Sequence, residues 1–165
     1  MKPKTVGRIS GHTHQQVPNN AKGLSASSTI LTMDGEKPVH DIRSGDRVIT
    51  RDSGMAIVKS VHTHHILTAA IRIAAGSLGH TRPDRDVTLP AGQLVLIRDW
   101  RAQALFGTPQ ALVPVELLVD GEFVCRQDPV RMTLCEIVFD RPHILYVDGL
   151  ELASHIAQPA ASAAA

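Results

Sequence analysis

At 165 residues the chain has room for one domain with tails. A hydrophobic fraction of 43% supports a buried core, and aromatics at only 3% make that core aliphatic. The net charge of +1 names no partner; no apolar run is long enough to span a bilayer, and Met1 to Ser10 lacks the apolar h-region of a secretory signal.

Residues 1–22 are rich in Gly, Pro, Asn, Gln and His and carry no periodicity, which predicts a flexible arm. Lys2, Lys4, Arg8 and Lys22 make it weakly basic, with no acidic residue before Asp34. Four spread charges without interleaved aromatics are a solvated tail, and no nucleic acid is expected as partner. Gly11-His12-Thr13-His14 has two His but no Cys or carboxylate neighbour, the composition of a polar linker more than of half a metal site. From Ser28 to Gly54 three turn signals follow closely: Asp34-Gly35, Ser44-Gly45-Asp46 and Asp52-Ser53-Gly54. Short apolar runs separate them, Ile30-Leu31 and Val48-Ile49. This is hairpin chemistry, in which both central residues of a tight Asp-Gly turn take positive φ, and it predicts a small all-β body.

Met55 to Ile66 reads as one β-branched strand, with His62 and His64 on one face and His65 on the other. A His pair at that spacing can chelate a metal, but no further ligand is placed by the sequence, so a solvated face is the favoured reading. Gly76 to Pro83 is a loop, and Asp86 to Ile97 is strand, turn, strand around Pro90-Ala91-Gly92. Arg98 to Gln110, with Trp100 and Phe106, predicts a less regular link holding a helical turn. Leu112 to Leu118 reads as extended, since Val113 precedes Pro114. Asp120-Gly121 predicts a hairpin into Glu122–Arg126, and Gln127-Asp128-Pro129 a further hairpin turn that would let Cys125 and Cys135 face each other across two strands, as free buried thiols. Thr133–Phe139 and His143–Val147 are strands, and Asp148-Gly149 turns the chain into Leu150-Glu151-Leu152. The Ala-rich stretch over 156–165 predicts a disordered tail.

The stretch from Ser28 to Gly54 resembles the opening of the Hint domain, the Hedgehog/intein autoprocessing module, as found in uncharacterised bacterial proteins. The matching positions include Thr29, Thr32, Asp34, Gly35, Pro38, Val39, Asp41, Ile42, Gly45, Asp46, Val48, Thr50, Asp52 and Gly54. The segment Arg82 to Ile97 is similar to the family's middle block, and Phe139 to Glu151 to its closing block. The resemblance implies an all-β, Hint-type disc of bent strands and hairpins over residues 23–155.

It also implies a chemistry. The family reaction is an N-to-S or N-to-O acyl shift. It needs a Cys or Ser at the scissile junction, a His to protonate the departing amine, and donors for the oxyanion. Set on the family pattern, the nucleophile position is Gly23 and the His position is Gln93. Glycine cannot attack, and an amide cannot shuttle a proton at neutral pH. Pro90 stands where the family has a hydroxyl, Pro142 takes the closing-block His position with His143 shifted by one, and the inteins' terminal His-Asn pair is absent. Fallback candidates are Ser25, Ser27 and Ser28 with His143. The expectation is a domain of autoprocessing ancestry without the activity, a structural or binding module with a possible protein partner and no cofactor. The alternatives are self-cleavage at one of these serines and, more weakly, a metal-binding β protein using His62 and His64. Without a signal or a span, the default location is cytoplasmic, with non-classical export left open.

Overall fold

The computed structural model describes residue 21 and residues 23–154. The rest of the expected arm over 1–22, including Gly11-His12-Thr13-His14, and the expected tail over 156–165 lie outside the described residues.

Hairpins build the first part of the chain. After β1 (Leu24–Ser25), strands β2 (Thr29–Thr32) and β3 (Gly35–Pro38) pair antiparallel with Thr32 opposite Gly35. The central turn residues are therefore Met33 and Asp34, and only the following glycine takes positive φ, at 102°. The expected positive φ at both Asp34 and Gly35 is corrected here. The Thr32 hydroxyl stabilises the turn by accepting the Asp34 N–H at 3.2 Å and donating to the Gly35 carbonyl at 2.7 Å. β4 (Arg47–Thr50) and β5 (Gly54–Ile57) form the second hairpin around Arg51-Asp52-Ser53, with Gly54 already paired to Thr50.

The single strand expected over Met55–Ile66 is two. β5 stays with β4, while β6 (Ser60–Ile73) belongs to the other sheet. Buried Val58 makes the crossing. Its N–H donates to Asp46 O at 2.9 Å and its carbonyl accepts from Gly45 at 2.7 Å, and Lys59 N–H already reaches Val138 O at 2.8 Å. β7 (Val87–Pro90) and β8 (Leu94–Ile97) follow as expected, joined by a turn closed by Gln93 N–H on Pro90 O. The next link holds α1 (Trp100–Phe106), capped by the Asp99 side chain on Arg101 N–H and ended by Gly107 at φ 70°. β9 (Ala111–Pro114) runs into a 3-10 turn, Val115–Leu118, where an extended chain was expected. Asp120-Gly121 turns the chain without making a hairpin, because β9 and the strand that follows lie in different sheets.

That strand is β10 (Val124–Val138), and it carries the largest correction. Gln127-Asp128-Pro129 is not a hairpin turn. β10 runs straight through and pairs antiparallel with β6, and the register slips from Gln127 opposite Ala70 to Val130 opposite Thr68. The slip is a bulge, a place where a ladder tolerates proline's missing N–H. Cys125 and Cys135 therefore share one strand, opposite Arg72 and Thr63, and do not face each other. Both are free thiols, Cys135 buried and Cys125 half-buried. β11 (Ile144–Val147) and β12 (Leu150–Ala153) form the last hairpin, where Asp148 at φ 50° and Gly149 at φ 77° do show the expected paired positive φ.

The strand order is β1-β10-β6-β7 in one sheet and β3-β2-β4-β11-β12-β8-β9 in the other, with β5 on β4. Both sheets feed one apolar cluster: Leu24, Ile71, Val124 and Ile137 from the first, Ile30, Val48, Val95, Leu145 and Leu152 from the second. The cluster is almost wholly aliphatic, as the composition requires, with Phe139 its one buried aromatic among the described residues. No helix among the described residues is long and apolar enough to cross a membrane.

Candidate functional site

β1 and β8 come from opposite sheets, yet their leading residues meet. Gly23, just before β1, donates its N–H to the Gln93 side-chain oxygen at 3.3 Å. Gln93, just before β8, is only 2% exposed. Its amide nitrogen donates to Leu94 O at 3.1 Å and to Ala153 O, at the end of β12, at 3.0 Å. One buried amide thus ties β1, β8 and β12 together, with its oxygen and nitrogen both engaged. Gly23 has φ 131°, a conformation that L side chains rarely adopt. A Cβ placed there would lie 3.1 Å from Leu134 Cβ and 3.4 Å from the Cys135 carbonyl oxygen, both on β10. The site holds a glycine for backbone reasons and for space.

The other sequence candidates divide. His143, buried just before β11, is coupled to this corner through the backbone: its N–H donates to Ser154 Oγ at 2.9 Å, and Ser154 N–H donates to His143 O at 2.8 Å. Its ring Nδ1 lies 2.9 Å from Asp52 Oδ2 and 3.3 Å from Ser53 Oγ, and packs edge-on to Phe139. Burial pushes the Asp52 carboxyl up. The Ile144 N–H and the His143 ring outweigh that, and Asp52 ends below its ordinary value of 3.8. A hollow of about 420 Å³ opens beside His143, lined by Met55, Ile57, Phe139 and Arg141 among others.

The serines are not with His143. Ile30 stands opposite Val147, so Ser28 lies toward the Gly149 end of β11 and His143 beyond its other end. Ser25 Oγ and Ser27 Oγ are 3.0 Å apart, and Ser28 is buried. The ring near the serines is His40. Its backbone N–H, at 3.2 Å, and its Nδ1, at 2.9 Å, both reach the Ala26 carbonyl, directly before Ser27. Sequence reasoning passed over His40, Asp52 and Ser154 as site residues. His40 and Asp52 sit in turn-rich stretches, and no local signal announces partners as far away as the 91 positions between Asp52 and His143.

His62 and His64 lie on β6, opposite Glu136 and Leu134. His62 Nε2 contacts Ser60 Oγ at 3.3 Å, and no group of three or more potential metal ligands forms among the described residues.

The model of the Hint domain family matches residues 23–159. The chain belongs to the Hint domain family. Solved structures agree on the fold. A bacterial intein-like domain from Clostridium thermocellum, known from its solution structure, is 15% identical at a TM-score of 0.55, covering 82% of this chain and 99% of that one. The Msm DnaB1 intein splicing domain, crystallised with zinc, is 14% identical at a TM-score of 0.51, covering 81% and 99%. No curated protein sequence matches significantly. The match spans all the residues of the corner just described, and as a Hint domain the chain has the all-β architecture expected of it.

Proposed function

We propose that this Hint domain does not process itself and serves as a structural or binding module. The observation that carries the reading is the amide tie at Gly23, Gln93 and Ala153. At the position expected for the nucleophile there is no side chain, and the backbone conformation and the nearby Leu134 disfavour one. At the position expected for the proton-donating His, both polar ends of an amide are committed to holding three strands together, and an amide does not exchange protons at neutral pH. Pro90 adds no hydroxyl and no N–H. The corner supports cohesion of the fold, not acyl transfer.

A second reading has one observation in its favour. The Ala26 carbonyl accepts two donors from His40, and Ser27 follows it directly. In an N-to-O shift the Ser27 Oγ would attack the Ala26 carbonyl carbon, the two His40 donors would stabilise the oxyanion, and the bond to the Ser27 nitrogen would break, giving an ester and a free amine. Among the described residues no side chain forms a hydrogen bond to that nitrogen from which to protonate it, which favours the first reading.

The test is intact mass of the chain with a folded tag fused before Met1, incubated with and without dithiothreitol and hydroxylamine. The module reading expects one uncut species throughout. A cut between Ala26 and Ser27 that Ser27→Ala and His40→Ala both abolish would establish the second reading and sink the first.

A further inference from the structure

Glu151 on β12 is 1% exposed and is surrounded by three arginines from separate segments. Arg98, just after β8, grips it with two bonds: Nε to Oε2 at 3.0 Å and Nη2 to Oε1 at 2.8 Å. Arg82 Nη1 reaches Oε1 at 3.0 Å, and Arg51 Nη1 at 3.3 Å. Three guanidinium groups share one carboxylate, so the cluster carries a surplus of positive charge. It also carries a surplus of donors. A guanidinium offers five N–H groups, and the buried Nε of Arg82 meets no acceptor among the described residues.

The cluster forms one end of a hollow of about 440 Å³ that Tyr146 and His80 also line. The loop that delivers His80 and Arg82 has non-glycine residues in the left-handed region, His80 at φ 51° and Thr81 at φ 58°. Such conformations persist only where the surroundings fix them, often around ligand sites. The other end of the hollow has the opposite sign. Glu36, Asp84 and Asp148 line it and continue into a second hollow of about 270 Å³, where Arg85 is the one cation of the lining against these three carboxylates. Asp148 is taken up by Arg85 at 2.7 Å and by the Thr29 N–H at 3.0 Å. Glu36 and Asp84 form no close ion pair among the described residues, although the Arg85 guanidinium that pairs with Asp148 also feels both of their charges.

We propose that this hollow binds a small zwitterion of the ω-amino acid type, its carboxylate on Arg51 and Arg82 and its cation toward Glu36 and Asp84. A simple anion would satisfy the arginines and leave the two carboxylates facing it, at a cost; a zwitterion satisfies both ends. The size suits such a ligand, since small-molecule pockets span roughly 300–1,000 Å³. The site lies apart from the Gly23 and Gln93 corner. Gln93 and Arg98 stand at opposite ends of β8, roughly 17 Å apart at strand spacing.

The test is calorimetric titration and thermal shift of the full chain with ε-aminocaproate, caproate, hexylamine and inorganic phosphate. ε-Aminocaproate should bind about tenfold or more tighter than caproate or hexylamine, since each charged end adds its own hydrogen bonds. Arg82→Gln should weaken it by about tenfold; Glu151 keeps Arg98 and Arg51, so the fold should survive. Glu36→Gln with Asp84→Asn, both exposed, should bring ε-aminocaproate down to the level of caproate. The proposal fails if no probe binds at about 10 mM, if phosphate binds and ε-aminocaproate does not, or if Arg82→Gln binds as the parent does.

Discussion

Replacing Gly23 with alanine probes the corner with a single methyl group. Holding an L residue in a sparsely populated conformation costs about 1–3 kcal/mol, and Gly23 sits at φ 131°. The new Cβ would also press on Leu134 Cβ at 3.1 Å. Leu134 is fully buried on β10, opposite Ser25 of β1 and His64 of β6, so it has little freedom to retreat. Overpacking of that kind costs about 1–3 kcal/mol. The chain has one way out: β1 can lift off β10. That surrenders the burial of Leu24, 3% exposed, worth about 1.5–3 kcal/mol, together with the Gly23 bond to Gln93. The cheaper route sets the result, so Gly23→Ala should destabilise the domain by about 2–3 kcal/mol, lowering Tm by roughly 10 °C for a domain of this size. Urea unfolding at constant m-value is the assay, with amide exchange at Leu24 and Ser25 separating a strained corner from a lifted strand. A loss below about 0.5 kcal/mol, with Leu24 still protected, would refute the claim that this position requires glycine.

Gln93→Ala should cost about 3 kcal/mol or more in the same unfolding assay, because it leaves the Gly23 N–H and the Ala153 carbonyl buried without partners and adds a cavity. Glu151→Gln should be among the most damaging single changes in the chain, by about 3 kcal/mol, because it leaves three guanidinium groups around a neutral amide; thermal unfolding checks it. Asp120 supplies the acid-sensitive turn. Burial pushes its carboxyl up, but the N–H groups of Val124, Glu122 and Phe123, all on Oδ1, leave it below its ordinary value of 3.8. Its stabilisation is therefore present above about pH 4 and lost as pH falls through the lowered native value, so the stability gap between wild type and Asp120→Asn should close in acid; a pH series of urea unfolding curves shows it. Asp52→Asn should behave the same way, since Asp52 is also lowered, and should in addition remove the carboxylate that orients the His143 ring, visible as displaced His143 ring resonances by NMR at one fixed pH.

Turns decided by their own residues were legible in the sequence, and structure decided by distant partners was not. Asp148-Gly149 closes a hairpin from local chemistry alone, because those two residues carry both positive φ values themselves. Asp34-Gly35 marks a hairpin correctly, but its register is one residue off the simple reading, since Thr32 rather than Asp34 anchors the turn. Gln127-Asp128-Pro129 has every local mark of a hairpin. What overrides them is β6, which offers β10 a continuous ladder from Val124 to Val138 and absorbs the proline in a bulge. The break at Val58 is equally invisible locally: Val58 and Lys59 look like any strand residues until Asp46 and Val138 claim their N–H groups. The candidate site follows the same rule. The family pattern brought Gly23 and Gln93 forward as a pair, and they do touch. The pairing of His143 with Asp52 and of His40 with Ala26 had no counterpart in spacing or composition.

The amide tie also bears on whether this corner can keep its cohesion and run acyl transfer at once. Gln93 serves one donor and two acceptors across the meeting of β1, β8 and β12. A neutral imidazole has one donor and one acceptor nitrogen, so it cannot meet all three groups, and a ring busy meeting two of them has no free position from which to give a proton to a leaving amine. A side chain at position 23 needs a different backbone conformation as well as a retreat of Leu134. Neither change helps without the other. On the proposed reading, glycine, glutamine and the packing of β1 on β10 are one mutually dependent solution, in which the strands at the junction are held by a buried hydrogen-bond set rather than left with the open reactive groups that acyl transfer requires.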